Sequence, residues 1–325
     1  MPGTVREVDV VLRDMTTTEE LNKVFTYLPD HLRPLIGYYL PHIEEIKLDV
    51  HKPLALRFGD THVDYDYIVT PDDVGNVQSR AGGFKSNGRK GIPGTMHRVH
   101  KGLDGFRAAD KITFRIAHLI RGLAAPFREL LAENLSIGVC GPPAAGKTTF
   151  IRDLALEDGE RLGRGVDIVD TNNEIAGEGD TPHPEFETVR QWRVADPNDL
   201  AWVLEQPLRS GGTMKVYVDE VGYQKGDVQV VRTARFSGKP VTSSVHGESV
   251  SEAIWKYEIM PLFGVVVTDT GNLRQIGPPS FHKFIEIPRK NVFKVHHDLQ
   301  RSVKDIVEGR EPEVETVIYR TRFAS

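Results

Sequence analysis

Four residues in the stretch GVCGPPAAGKTTF, Gly138 to Phe150, stand at the spacing G-x-x-x-x-G-K-[ST]: Gly141, Gly146, Lys147 and Thr148. Glycines let backbone N–H groups converge on phosphate oxygens without a Cβ in the way. A helix beginning directly behind them adds a field that favours an anion. In this pattern the lysine reaches the β- and γ-phosphates of a nucleotide and the hydroxyl ligates Mg²⁺. The stretch predicts a cradle for ATP made by Gly141, Pro142, Pro143, Ala144, Ala145, Gly146, Lys147, Thr148 and Thr149, with Thr148 as a metal ligand. Thr149 is expected to pack or cap rather than coordinate. An ordinary strand-to-helix turn is the bland alternative. The apolar strand before the stretch and the helix-forming run after it weigh against that reading.

A second group of residues could complete the chemistry. MKVYVDEVGY reads as a buried strand ending in Asp219 and Glu220, where open α/β sheets keep their sites. Asp219 would hold Mg²⁺, and Glu220 could orient or deprotonate an attacking water. VDIVDTNNEIAGEGD ends a strand with Asp170 and offers Glu174 as a rival general base, unless Glu174 and Asp180 belong only to a solvated loop. In VTSSVHGES, His246 follows Ser243 and Ser244 at a strand end where a polar side chain can sense a γ-phosphate. A lone histidine is more often satisfied locally. His296 and His297 are adjacent, point to opposite sides of a strand and make a poor metal pair. Cys140 lies inside a core strand, where packing is its expected task.

These residues need a scaffold that brings strand ends together. From about residue 134 the chain alternates Val/Ile-rich strands with helical runs: LSIGVCG, KTTFIRDLALED, GVDIVDTNNE, DPNDLAWVLEQPLRS, MKVYVDEVG, DVQVVRTARFSG, PVTSSVHG, ESVSEAIWKYEIMPLF and GVVVTD. That alternation predicts an α/β fold, a mostly parallel sheet covered by helices on both faces. Residues 1–125 read as a smaller α+β domain, with a helix over 16–40 and strand-like pieces after it. Residues 126–290 form the nucleotide-binding domain, entered through a connecting helix over 122–134. Residues 291–325 form a C-terminal strand-and-helix tail. Within the first domain, residues 80–101 carry Arg80, Lys85, Arg89, Lys90, Arg98 and Lys101, many glycines and no acidic residue.

Composition limits the function classes. The chain has 325 residues, 39% of them hydrophobic and 27% charged, enough to bury a full core. A formal net charge of −5 disfavours binding a polyanion through bulk charge, so any nucleic-acid contact would need a local basic patch. One cysteine excludes an intrachain disulfide and fits a reducing compartment. The first residues lack a secretory pattern and no apolar run reaches membrane-spanning length, so the expected location is cytoplasmic.

In their order, GPPAAGKTTFIRDLA, DIVDTNNEIAGEGDTPHPEF, VYVDEVG and SSVHGES resemble the stage III sporulation protein AA family and its cyanobacterial and chloroplast-encoded relatives. NEIAGEGDTPHP carries most of that resemblance. The likeness extends over roughly residues 90–312. It implies a RecA-like core related to the secretion ATPases, with ATP bound by Gly141 to Thr149, Mg²⁺ chemistry at Asp219 and Glu220, and sensing at His246. It further implies a hexameric ring in which arginines of the N-terminal domain reach the phosphates. Arg98 and Arg115 match those positions, and Arg190 and Arg193 are further candidates whose bland reading is a surface ion pair. The sequence departs from the family at Asp170-Thr171, where many members read Asp-Glu, and this places the burden on Glu174 or Glu220. The leading reading is a ring-forming, Mg-dependent ATPase that does work on a macromolecule. A single-stranded DNA or RNA translocase acting through residues 80–101 is the alternative. A small-molecule kinase lacks an acceptor pocket and a basic lid, and the Asp219–Glu220 pair argues against a binding module without turnover.

Overall fold

The computed structural model describes residues 3–324 except 60, 86–87, 105–108, 172–173, 178–180, 195 and 223. The chain folds into two compact units. The larger comprises Met1–Arg13, Ile120–Ala176 and Glu185–Ser325, and the smaller comprises Asp14–Leu119 and Gly177–Pro184. The first strand, β1 (Val5–Asp14), does not fold with the residues that follow it, as a domain over 1–125 would require. It pairs in parallel with Glu315–Phe323, at the other end of the sequence.

In the smaller unit, Thr17 caps α1 (Thr18–Phe25) by accepting from the Glu20 amide. The helix expected over 16–40 is not continuous. Prolines at 29, 34 and 41 break it into α1, the single turn α2 (Arg33–Ile36) and two 3₁₀ turns. β2 (Glu45–Asp49), β3 (Pro53–Phe58) and β4 (Thr61–Ile68) lead to α3 (Pro71–Ala81), which opens with a capping box between Thr70 and Asp73. β5 (Arg89–Gly91), β6 (Arg98–Leu103) and β7 (Ala109–Arg115) complete an antiparallel sheet of order β4-β3-β2-β7-β6-β5. Ile46, Leu48, Leu54, Leu56, Ile112 and Phe114 alternate along three of these strands and bury one face against Leu21, Val24 and Leu28. Segment Gly177–Pro184 is anchored in this unit. Thr181 O accepts from the Gly94 amide at 3.0 Å, and His183 Nε2 lies 3.2 Å from Glu20 Oε2 with both side chains buried.

The larger unit carries the alternating pattern. β8 (Ile120–Arg121), α4 (Arg128–Ala132), β9 (Ile137–Cys140), α5 (Lys147–Leu162), β10 (Val166–Asp170) and β11 (Arg190–Arg193) come first. α6 (Leu200–Arg209), β12 (Lys215–Val221), α7 (Lys225–Ser237), β13 (Val241–Val245) and α8 (Val250–Ala253) follow. β14 (Val265–Val267), β15 (Leu273–Gln275), β16 (Lys283–Arg289), β17 (Val292–His296), α9 (Leu299–Val307) and β18 (Glu315–Phe323) close it. The sheet has ten strands in the order β11-β10-β12-β13-β9-β16-β17-β18-β1-β8, and the first six are mutually parallel. Every residue of β9, β10 and β13 is buried, which requires cover on both faces.

Three expectations give way here. GVVVTD does not join the main sheet. A turn in which the Thr268 amide donates to Asn272 O reverses the chain after three residues, so β14 pairs only with β15. The sixth parallel strand is β16 instead. Residues 291–325 are no separate tail, because β17 and β18 extend the same sheet as antiparallel neighbours. The helices expected over 122–134 and 248–263 shrink to α4 and α8, each with a 3₁₀ turn holding Pro126 or Pro261.

Candidate nucleotide site

Because β9, β10, β12 and β13 run parallel, the segments after their C-terminal ends emerge on one edge of the sheet. Residues 141–146 follow β9, Asp219 and Glu220 close β12, and His246 follows β13. The loop over 141–146 turns on left-handed backbone at Ala144 (φ 62°) and Gly146 (φ 102°). At Gly141 a side chain has no room, since a Cβ would stand 2.3 Å from Ile287 O. The Gly141 amide donates to Gly247 O at 2.8 Å. α5 then starts at Lys147 and runs for 16 residues with no side chain capping its N-terminus, and no acidic residue lies in its first turn. Those free amides and the helix field are what an anion requires. Lys147 Nζ donates to Gly141 O at 2.7 Å and Pro142 O at 3.0 Å, which holds the ammonium across the loop. Around it Pro143 and Ala144 are exposed, Pro142, Thr148 and Thr149 half-buried, and Ala145 buried. The loop thus fits a nucleotide phosphate chain, and the Thr148 hydroxyl and Asp219 carboxylate are the hard oxygen donors that Mg²⁺ prefers.

Glu220 and His246 come together. His246 Nε2 lies 3.3 Å from Glu220 Oε1, with the imidazole half exposed and the carboxylate largely covered. A shift in the β12–β13 pairing sets this geometry. Val218 opposes Ser243 and Glu220 opposes Ser244, so Asp219 is the extra residue of a bulge. Ser244 Oγ donates to the carbonyl of that residue and Asp219 is buried. The bulge interrupts the strict alternation of faces at the two successive carboxylates.

Asp170 does something the sequence did not suggest. Its carboxylate accepts from the amides of Glu174 (2.9 Å), Ile175 (3.2 Å) and Ala176 (2.9 Å). Burial pushes its pKa up to about 6, against the pull of those three amides and of Arg152. Arg152, buried on α5, donates to the carbonyls of Ile175 and Glu174, so the segment carrying Glu174 is gripped on both its amides and its carbonyls. A charged pair, Arg152-Asp153, inside the apolar run FIRDLAL was the available signal. Asp153 is buried as well, and it accepts from Arg121 Nε at 2.7 Å and from the Gly122 and Ala124 amides. Asp180, part of the same expected loop, lies outside the described residues.

Arg98 and Arg115 stand in register on β6 and β7 of the smaller unit, and Arg115 is also opposite Glu45 of β2. Arg190 is engaged within its own sheet, 3.6 Å from Asp167 and stacked over Trp192. In the basic stretch, Arg80 donates to Leu28 O and Asp30, while Lys101 lies over the Phe84 ring. Among the described residues no cluster of His, Cys, Asp and Glu could hold a metal by itself. No helix of the described residues is long and apolar enough to cross a membrane. Burial raises the Cys140 thiol pKa well above its ordinary value, as its place in β9 implies.

No protein-family model matches the chain. It is 25% identical over 317 residues to the protein ycf45 of Porphyra purpurea, an alignment covering 93% of this chain and 56% of that one. It is 27% identical over 309 residues to the protein SEEDLING PLASTID DEVELOPMENT 1 of Arabidopsis thaliana, covering 90% of this chain and 45% of that one. Identity to the stage III sporulation protein AA of Bacillus subtilis is 27% over 261 residues, covering 71% and 83%. The chain is a homologue of the stage III sporulation protein AA and ycf45 proteins. It spans about half the length of the first two of these relatives. Two solved structures share its fold. The ATPase DotB of Legionella pneumophila superposes with a TM-score of 0.56 at 13% identity, covering 88% of this chain and 85% of that one. The pilus retraction motor PilT, solved with bound ADP, gives 0.53 at 17% identity over 71% of each chain. The larger unit is therefore RecA-like, accompanied by a smaller α+β unit.

Proposed function

We propose that the chain is a Mg-dependent ATPase that assembles as a ring, a hexamer if it follows the family resemblance, and turns ATP hydrolysis into work on a macromolecule. The observation that carries this reading is the uncapped α5 N-terminus behind a left-handed loop, with Lys147 held across it and the Glu220–His246 pair at a neighbouring strand end. The uncapped amides at the start of α5 and Lys147 would bind and orient the phosphates, and Thr148 and Asp219 would hold the metal. Mg²⁺, when bound, neutralises charge on the β- and γ-phosphates. Glu220 accepts the proton of the attacking water, and His246, tied to that carboxylate, orients it and registers the γ-phosphate. Arg98 and Arg115 supply positive charge to the site of a neighbouring copy, which makes hydrolysis depend on assembly. Lys147→Ala is expected to abolish phosphate release and to lower ADP affinity at least tenfold, as read by a phosphate assay and calorimetry. Full turnover in that variant overturns the reading.

One observation favours a second use. β5 is an edge strand in which Arg89 is in register with His100 and Lys90 with Val99 of β6, the strand that also carries Arg98 and Lys101, and this basic edge could follow the backbone of single-stranded DNA or RNA. Binding to an oligonucleotide that weakens with salt and with Arg89→Ala/Lys90→Ala supports it. Absence of binding at low salt removes it.

A further inference from the structure

We propose that Glu286 is a positioning residue that fixes the His246 segment against the phosphate loop, and that His296 and Ser302 link this hold to α9. The proposal rests on residues 141–149 being a nucleotide cradle. β16 and β13 flank β9 on opposite sides. Glu286 of β16 is in register with Cys140, one residue before the loop, and the next carbonyl, Ile287 O, is the one that forbids a side chain at Gly141. The buried Glu286 carboxylate accepts from the Val250 amide at 2.7 Å. Val250 opens α8, four residues beyond His246. An acid on one flank of β9 therefore holds the segment that leaves the strand on the other flank.

That segment has a second fixed point, because Gly247 O accepts from the Gly141 amide at 2.8 Å. Gly247 itself has φ +149°, and a Cβ there would stand 2.8 Å from the Ala253 Cβ, so this point of the segment accepts no side chain. His246 therefore precedes a segment held at Gly247 O and at the Val250 amide. His296 Nε2 lies 3.2 Å from Glu286 Oε1, and its Nδ1 lies 2.9 Å from Ser302 Oγ on α9; both side chains are buried. Burial raises the Glu286 pKa, but the hydrogen bond and charge of His296, with the Val250 amide, outweigh it and leave the carboxyl below its ordinary range. The acceptor is thus an ionised carboxylate, and its bond to Val250 is of the stronger, charge-assisted kind. Displacing α9 shifts Ser302 and His296, and through Glu286 it shifts the segment bearing His246.

A purely structural role would lower stability without separating binding from turnover, so the test measures both on the full chain. Amide exchange over residues 141–149 and 245–253 is followed with and without ADP, beside kcat and the ADP dissociation constant, for Glu286→Leu, Glu286→Gln and Ser302→Ala. Glu286→Leu is expected to lose ADP-dependent protection at 246–250 and to lower kcat at least tenfold, with ADP affinity within about twofold of the parent. Glu286→Gln keeps an acceptor without charge and should cost about threefold in kcat, as should Ser302→Ala. Unchanged protection and kcat in Glu286→Leu, or an equal fall in affinity and kcat, overturns the proposal. If Glu286→Leu does not fold, parental protection and kcat in Glu286→Gln overturn it. A parent chain whose residues 141–149 gain no protection from ADP instead refutes the nucleotide site, a different result.

Discussion

Glu174 and Glu220 competed for one role in the sequence, and their surroundings differ. Glu220 closes β12 beside His246, while the backbone of Glu174 is locked by Asp170 and Arg152. Glu220→Gln should reduce kcat by about 10²- to 10³-fold with ADP affinity unchanged, and Glu174→Gln by no more than about threefold, as measured by steady-state phosphate release. Gly141→Ala should lower the free energy of unfolding by about 2 kcal/mol or more in denaturant titration, because its Cβ meets Ile287 O and the φ of +154° suits glycine. Gly141, Gly146, Lys147 and Thr148 were legible because the motif is local: spacing alone states what the backbone must do. Asp170, Arg152 and Glu286 were not, because each acts on backbone atoms that only the folded sheet brings near. Asp170 stood at a strand end and proves to hold the backbone that follows it, while Glu286 sat in a stretch with no motif at all.

Single elements show where periodicity suffices. Buried strands such as β10 and β12 read directly from their Val/Ile-rich stretches, and the alternating order gave the parallel sheet. GVVVTD is as rich in valine as any of them and fails to join them, since a tight turn three residues on settles its pairing. Prolines at 29, 34, 41, 126 and 261 shortened helices that hydrophobic spacing alone extends. One buried device on β12 invites measurement. Lys215 and Asp158 form a 3.0 Å pair with both side chains fully buried, and Tyr217 donates to the same carboxylate at 2.6 Å. Lys215→Met leaves Asp158 without its buried cation and should destabilise the chain by about 3 kcal/mol in urea unfolding. A shift below about 1 kcal/mol would mean that Arg161, 2.7 Å from Asp158, compensates.

At the scale of the whole molecule, acid acts on the smaller unit through one buried imidazole. In the smaller unit His97 is buried and accepts from the Ala117 amide at Nδ1. Burial drives its pKa from 6.5 down to about 4; Glu20 pulls it up, and His118 and His183 push it down further. Between those two values the unfolded chain takes up a proton that the folded unit refuses. Stability of this unit should therefore fall as pH drops through that window, by up to about 3 kcal/mol, and His97→Gln should flatten the dependence. Unfolding midpoints from pH 7 to pH 4 check it; equal slopes for parent and variant refute it. The two-unit division was only partly legible, because strand pairing between distant segments leaves no local trace. Residues 1–13 and 177–184 each fold with the unit that is not their neighbour in sequence. It follows that no single cut of the polypeptide frees either unit intact. A fragment starting at residue 120 forfeits the strand that lies beside β18, and one stopping at 119 forfeits the anchors at Thr181 and His183. Deletion experiments guided by the boundary near 125 would report injury to both pieces, whatever each is capable of when whole.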